Sequence, residues 1–204
     1  MSAVRKLATA ATRTNFTYAD YVTWPDEPRF ELIKGEAIEM SAPSEAHQAI
    51  SAELVFHFKL FLRGKKIPRL YHAPFDVRIN YNTFDNTVVQ PDLLIISDKE
   101  KIVNGKHCVG APDLVVEILS ENTRRYDKLK KLNIYLEAGV REYWIVDTEQ
   151  KIVEVYILEN EKYFIKTYSD EDTIPVYVLE GCEISLPEVF GILETEEKTE
   201  ESNP

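Results

Sequence analysis

The chain has 204 residues and a mass of 23.6 kDa, the size of one domain, and its 44% hydrophobic and 29% charged content excludes wholesale disorder. With 24 basic against 35 acidic residues the net charge is −11, of which the five Glu and one Lys after Leu193 carry −4. The remaining −7 describes an acidic body and counts against a protein that grips phosphate backbones over a broad surface.

Residues 1–15 read as a polar lead-in, and Leu7 to Ala11 is too short and polar for a signal-peptide core. Thr17 to Val22 predicts a short helix capped by Thr17 and stopped by Pro25. Phe30 to Ile33 and Glu36 to Met40 predict two strands around a Lys34-Gly35 turn. Ser44 is a good N-cap for a helix running to about Arg63 and ended by Gly64. Leu70 to Tyr81 and Val88 to Ile96 read as strands, and Ser97 to Pro112 as a connecting loop.

The centre of the chain is the most patterned. Asp113 to Leu119 is almost wholly apolar and rich in β-branched residues, as a strand covered on both faces must be. A helix is expected from about Thr123 to Ala138, with Leu129, Leu132 and Leu136 on one stripe and Gly139 at C′. Glu142 to Asp147 follows as a second buried strand, completing a βαβ unit. From Ile152 onward the alternation predicts an antiparallel meander. The fold class is therefore mixed α/β: one domain over residues 16–193, with a central mixed sheet flanked by helices and a meander after it. Residues 194–204 read as a disordered acidic tail.

Much familiar chemistry is missing. The seven glycines form neither a G-x-G-x-x-G turn nor a nucleotide P-loop, and no G-x-S-x-G or H-E-x-x-H stretch occurs. His47, His57, His72 and His107 show no ligand spacing and read as surface or half-buried side chains. Cys108 and Cys182 lie 74 positions apart and form no metal-type pair, so a reducing cytoplasm is the expected compartment. No apolar run approaches the ~20 residues of a membrane-spanning helix.

What stands out is acids inside apolar strands. Glu117 interrupts Leu114-Val-Val-Glu-Ile-Leu119, and Asp92 begins Leu93-Leu-Ile-Ile96. An ionised carboxylate there is costly unless it is paired or metal-bound. Asp92 could instead cap a turn after Pro91, and Glu117 could pair with a buried Arg or Lys. Asp113 shares a face with Glu117 but lies about 13 Å along the strand, too far to clamp one cation with it. Asp92 and Glu117 lie on different strands. If those strands are neighbours, the two carboxylates meet across the ladder and suit Mg²⁺ or Mn²⁺. In the next helix Lys128 and Lys131 share one face and could lean toward such an ion, although Asp127 and Lys131 also make an ordinary i, i+4 surface pair.

Several blocks occur in order: Arg29-Phe-Glu-Leu-Ile-Lys-Gly35, Gln90-Pro-Asp-Leu-Leu94, Gly110 to Ser120, Arg125 to Leu132 and Tyr135 to Asp147. Together they resemble the Uma-type family of "putative restriction endonucleases", a branch of the PD-(D/E)XK nuclease superfamily, over roughly Tyr18 to Leu193. The resemblance implies a restriction-endonuclease-like core, a Mg²⁺ site (Mn²⁺ being the alternative) and DNA as the substrate. By that resemblance Asp92 and Glu117 are the metal-binding acids, Glu31 is an acid completing the site, and the catalytic amine has moved. Leu119 occupies the usual lysine position, and the family pattern favours Lys131 as the replacement; periodicity alone leaves Lys128 open. The implied activity is metal-dependent phosphodiester hydrolysis. A nuclease-fold binding or scaffold module that has lost hydrolysis is the alternative, and a small-molecule metallohydrolase is a third reading. A homodimer is expected, with Tyr143-Trp144 and the aromatic meander (Tyr156, Tyr163, Phe164, Tyr168) as candidate surfaces.

Overall fold

The computed structural model describes residues 15–119 and 130–200, and the side chains of those up to Leu193. Among them are four α-helices: α1 (Tyr18–Tyr21), α2 (Glu45–Phe61), α3 (Leu132–Ala138) and α4 (Leu186–Glu200). Two six-stranded sheets carry the architecture. The strands of the first are β1 (Phe30–Ile33), β2 (Glu36–Glu39), β4 (Asp76–Arg78), β5 (Val88–Val89), β7 (Ile102–Val103) and β8 (His107–Val109), in the order β2-β1-β5-β4-β8-β7. Those of the second are β3 (Arg69–His72), β6 (Leu93–Ile96), β9 (Leu114–Ile118), β10 (Glu142–Asp147), β11 (Ile152–Glu159) and β12 (Lys162–Ser169), in the order β12-β11-β10-β9-β6-β3. A small hairpin of β13 (Thr173–Pro175) and β14 (Glu183–Ser185) stands apart from both.

The second sheet is the centre of the molecule. β9 and β10 are buried at every position, as their apolar runs require, and they pair in parallel with Glu117 opposite Ile145. The helix joining them ends where expected: Gly139 takes φ 82°, a left-handed conformation that costs glycine nothing, and its N–H reaches the Leu136 carbonyl at 3.0 Å. On one face of the sheet Leu114, Val116, Trp144 and Val146 pack under Ile50, Leu54 and Phe58 of α2 and under the C-terminal hairpin and α4. On the other, Val115, Leu119, Tyr143 and Ile145 meet Ile134 and Tyr135 of α3 and, from the first sheet, Ile33, Val77 and Val89. Because strand side chains alternate, Glu117 belongs to this second face, the seam between the two sheets.

Four expectations are corrected. Leu70 to Tyr81 is two strands in different sheets, divided at Ala73-Pro74, and Val88 to Ile96 is likewise divided between β5 and β6 at Pro91-Asp92. Proline has no N–H to give the ladder, so each marks where the chain leaves one sheet for the other. Ser97 to Pro112 is not a plain loop: it holds a 3-10 turn (Lys99–Lys101) and strands β7 and β8. Tyr143 and Trp144 are fully buried and cannot form a docking surface; Tyr156 is 6% exposed. Finally, α4 continues to Glu200, into the segment read as a disordered tail, and residues 201–204 lie outside the described set. The start of the helix expected from Thr123, with Asp127 and Lys128, also lies outside it.

Candidate functional site

Glu31 sits on β1, whose inward residues bury it to 3% exposure, and β1 pairs with β2 through Glu31 opposite Ile38. Glu117 sits on β9 at 4% exposure. The two acids come from different sheets, and a buried lysine joins them. The Nζ of Lys131, just ahead of α3, lies 3.0 Å from Glu31 Oε1 and 2.9 Å from Glu117 Oε1. Lys131 is itself only 4% exposed, so it is not the solvated-face lysine that an i, i+4 surface pair would require. One ammonium between two carboxylates offsets part of the desolvation that each would otherwise suffer.

Two further groups fix the acids. Tyr135 Oη donates to Glu117 Oε1 at 2.6 Å. Burial, reinforced by the Glu117 and Glu31 charges, holds that phenol well above its ordinary range, so it stays a donor. The Gln90 backbone N–H donates to Glu31 Oε1 at 2.8 Å.

Asp92 occupies the junction between the sheets. Its register follows from Leu93 opposite Val116, which sets Asp92 opposite Glu117 one step further along the antiparallel ladder. Its backbone carbonyl accepts from Ala73 N–H at 3.0 Å, and its Oδ2 accepts from Ile118 N–H at 2.7 Å. The carboxylate therefore ties together the strand ends on both sides. Asp92, Glu117, Glu31 and Lys131 all line one recess of ≈ 270 Å³, bounded also by Arg29, Ile118 and the start of α2.

One residue of this recess was missed by the sequence reasoning. His47 is buried, with Nε2 3.2 Å from Asp92 Oδ2, and its Nδ1 has no hydrogen-bond partner among the described residues. The signal was available: His47, Ile50, Leu54 and Phe58 form one buried stripe of α2. Ser44 caps that helix by accepting from His47 N–H at 3.2 Å, which fixes where the imidazole leaves the backbone. Asp113, excluded on distance, is engaged elsewhere, by Arg141 Nη1 at 2.9 Å and Ser97 N–H at 2.7 Å.

The donor chemistry fits a small, hard divalent cation. Asp92 and Glu117 supply carboxylate oxygens to a single polar recess with room for water. Among the described residues no three His, Cys, Asp or Glu side chains cluster tightly enough to cage a metal unaided. That suits Mg²⁺, which commonly keeps several waters and takes one or two carboxylates, better than a metal needing an all-protein cage.

The comparisons agree with this architecture. A family model, Uma2, described as "putative restriction endonuclease", matches residues 18–187. No curated protein matches. Among solved structures, the chain is similar to the crystal structure of "a putative nuclease belonging to DUF820" from Anabaena variabilis ATCC 29413, with a TM-score of 0.72 and 21% identity over 87% of this chain and 99% of that one. At that identity the likeness establishes a shared fold. Among the described residues no helix is long and apolar enough to cross a membrane.

Proposed function

The chain belongs to the Uma2 family of putative restriction endonucleases, and from that premise we propose that it is a Mg²⁺-dependent endonuclease of PD-(D/E)XK type acting on DNA. The observation that carries the reading is the bridging of two buried carboxylates, Glu31 and Glu117, by the buried Lys131 beside Asp92 in one recess. Asp92 and Glu117 are the residues that would hold the metal. When bound, Mg²⁺ would supply Lewis-acid polarisation of the phosphate and a lowered pKa for water. Lys131 would stabilise negative charge developing on the phosphoryl oxygens, doing from α3 what Leu119 cannot do from β9. Tyr135 and the Gln90 amide hold Glu117 and Glu31 at fixed orientations, so little reorganisation is needed at the reacting centre. Glu31 would complete the site as an auxiliary ligand or base.

Two features specific to this chain extend the reading. Cys108 and Cys182 are both free and buried, and burial pushes their thiols up to about 12 and about 11, which suits a protein of the reducing cytoplasm. The expected homodimer would use the exposed Phe164 and Ile165 of the edge strand β12 rather than Tyr143-Trp144.

The test is cleavage of plasmid and linear DNA with Mg²⁺ or Mn²⁺. Asp92→Asn and Glu117→Gln should each abolish cutting while circular dichroism stays that of the parent. Undiminished cutting by either variant overturns the assignment. A specific observation favours the second reading, a binding or scaffold module: Lys131 already neutralises both glutamates without a metal. Under that reading Mg²⁺ leaves the melting temperature unchanged, whereas a metal bound by the native state raises it.

A further inference from the structure

A second recess, of ≈ 500 Å³, adjoins the first, and Arg29, Pro74 and Gln90 form their common wall. Its far side is aromatic. Trp24 stands edge-on to Tyr21, with centroids 5.3 Å apart, and to Phe30, at 5.7 Å. Such a surface suits a flat π-system.

The polar group in the wall is Gln90, only 9% exposed. Its Nε2 donates to Asp76 Oδ1 at 2.9 Å and to Tyr21 Oη at 3.1 Å. A carboxylate only accepts, so the nitrogen end must face Asp76 and the amide has one orientation. The Gln90 Oε1 is then buried with no hydrogen-bond partner. A buried acceptor in this state favours any ligand that brings a donor. Burial together with the Asp76 charge raises the Tyr21 phenol far above its ordinary range, so it cannot ionise to disturb the arrangement.

Charge selects what the donor is attached to. Asp26, Glu27 and Asp76 edge the recess and repel a phosphate. Arg29, half-buried on the common wall, makes no ion pair among the described residues and is placed to meet one. A neutral, flat group carrying an N–H donor, attached to a phosphate at the Arg29 side, meets every one of these conditions.

We infer that this second recess is a nucleobase subsite: it takes one unpaired base, stacked on the Trp24 cluster and donating from its Watson–Crick edge to Gln90 Oε1, while Arg29 holds the neighbouring phosphate. A base within a duplex has already spent that donor on its partner. The substrate class is thus a single strand, an overhang or a flipped nucleotide, not an undistorted duplex. This inference rests on the nuclease reading for its choice of ligand, but its binding test needs no cleavage.

The chain has two tryptophans, and Trp144 is fully buried, so a change in intrinsic fluorescence on adding ligand reports Trp24. In EDTA, a short oligothymidylate should quench that signal. An otherwise identical strand carrying N3-methylthymine, which keeps the ring and loses the donor, should bind about tenfold more weakly, the worth of one hydrogen bond to a buried acceptor. An abasic strand should not quench, and a duplex should compete poorly. Gln90→Leu should bind the two thymine strands equally. If that variant does not fold, the methylated and unmethylated strands on the parent protein decide the matter alone. Equal affinity for both strands, or duplex binding as tight as single strand, overturns the subsite. Base-dependent quenching without any metal-dependent cutting would refute hydrolysis and leave the subsite standing; cutting that ignores unpaired bases would do the reverse.

Discussion

Replacing Lys131 by Met tests the centre of the molecule most directly. Methionine keeps the length and most of the apolar contact of the side chain but removes its charge. In the parent protein that charge lies 3.0 Å and 2.9 Å from two carboxylates exposed by only 3% and 4%. Taking it away leaves two buried acids on opposite sheets with their shared cation gone. Breaking a buried pair in this way costs about 3–5 kcal/mol, most of it the uncompensated charge left behind. For a chain of this size that is roughly 6–20 °C in melting temperature. Urea denaturation at neutral pH in EDTA measures it. Adding Mg²⁺ should restore part of the loss, because a cation held by the acids then replaces the missing one. Combining Lys131→Met with Glu31→Gln and Glu117→Gln should recover much of the stability that the single change removed. A single-variant loss under about 1 kcal/mol would refute the claim that the ion triad is desolvated.

Two further outcomes follow from local geometry. Gly35 has φ 86°, and a Cβ there would lie 2.9 Å from Asn15 Cα, so Gly35→Ala should cost at least the ~1–2 kcal/mol of a left-handed residue, read by urea melts; a neutral result would mean the Lys34-Gly35 turn is not held as described. His107 has its folded-state pKa held below the ordinary 6.5, first by burial and then by Arg78, whose Nη1 lies 3.3 Å from its Nε2. The unfolded chain therefore binds the proton more readily, so this contribution is complete above pH 6.5 and is lost as pH falls through the lowered value. His107→Gln should flatten the stability difference between pH 7.5 and pH 5.5, and an unchanged slope would assign the dependence elsewhere.

How much could be read without coordinates differs from residue to residue. Glu117 announced itself because β9 is covered on both faces, and a carboxylate in an unbroken apolar run has no solvent side to turn to. Glu31 did not, because β1 is flanked by a strand with Glu36 and Glu39 at its ends, where one more acid looks like ordinary alternation. Only family resemblance selected it. Lys131 and Lys128 were inseparable by periodicity, since residues three apart share a helix face whatever that face touches. His47 was overlooked because a lone histidine carries no spacing signal, although its place on the Ile50-Leu54-Phe58 stripe marks it as inward-facing. The proline breaks at Pro74 and Pro91 were visible as residues but not as changes of sheet. Alternation tells which side of a strand is inward, never which sheet the strand joins.

The junction at Pro91-Asp92 places the reactive groups across the line where the two sheets meet, Glu31 on one side and Glu117 on the other. Catalytic capacity in such a layout depends on the closeness of two halves that each retain their own ladders. Gentle heating that pries the halves apart would silence the protein while its circular dichroism hardly moved. Residual activity would thus serve as a gauge of how firmly the halves are latched, more sensitive than any spectroscopic measure of strand content.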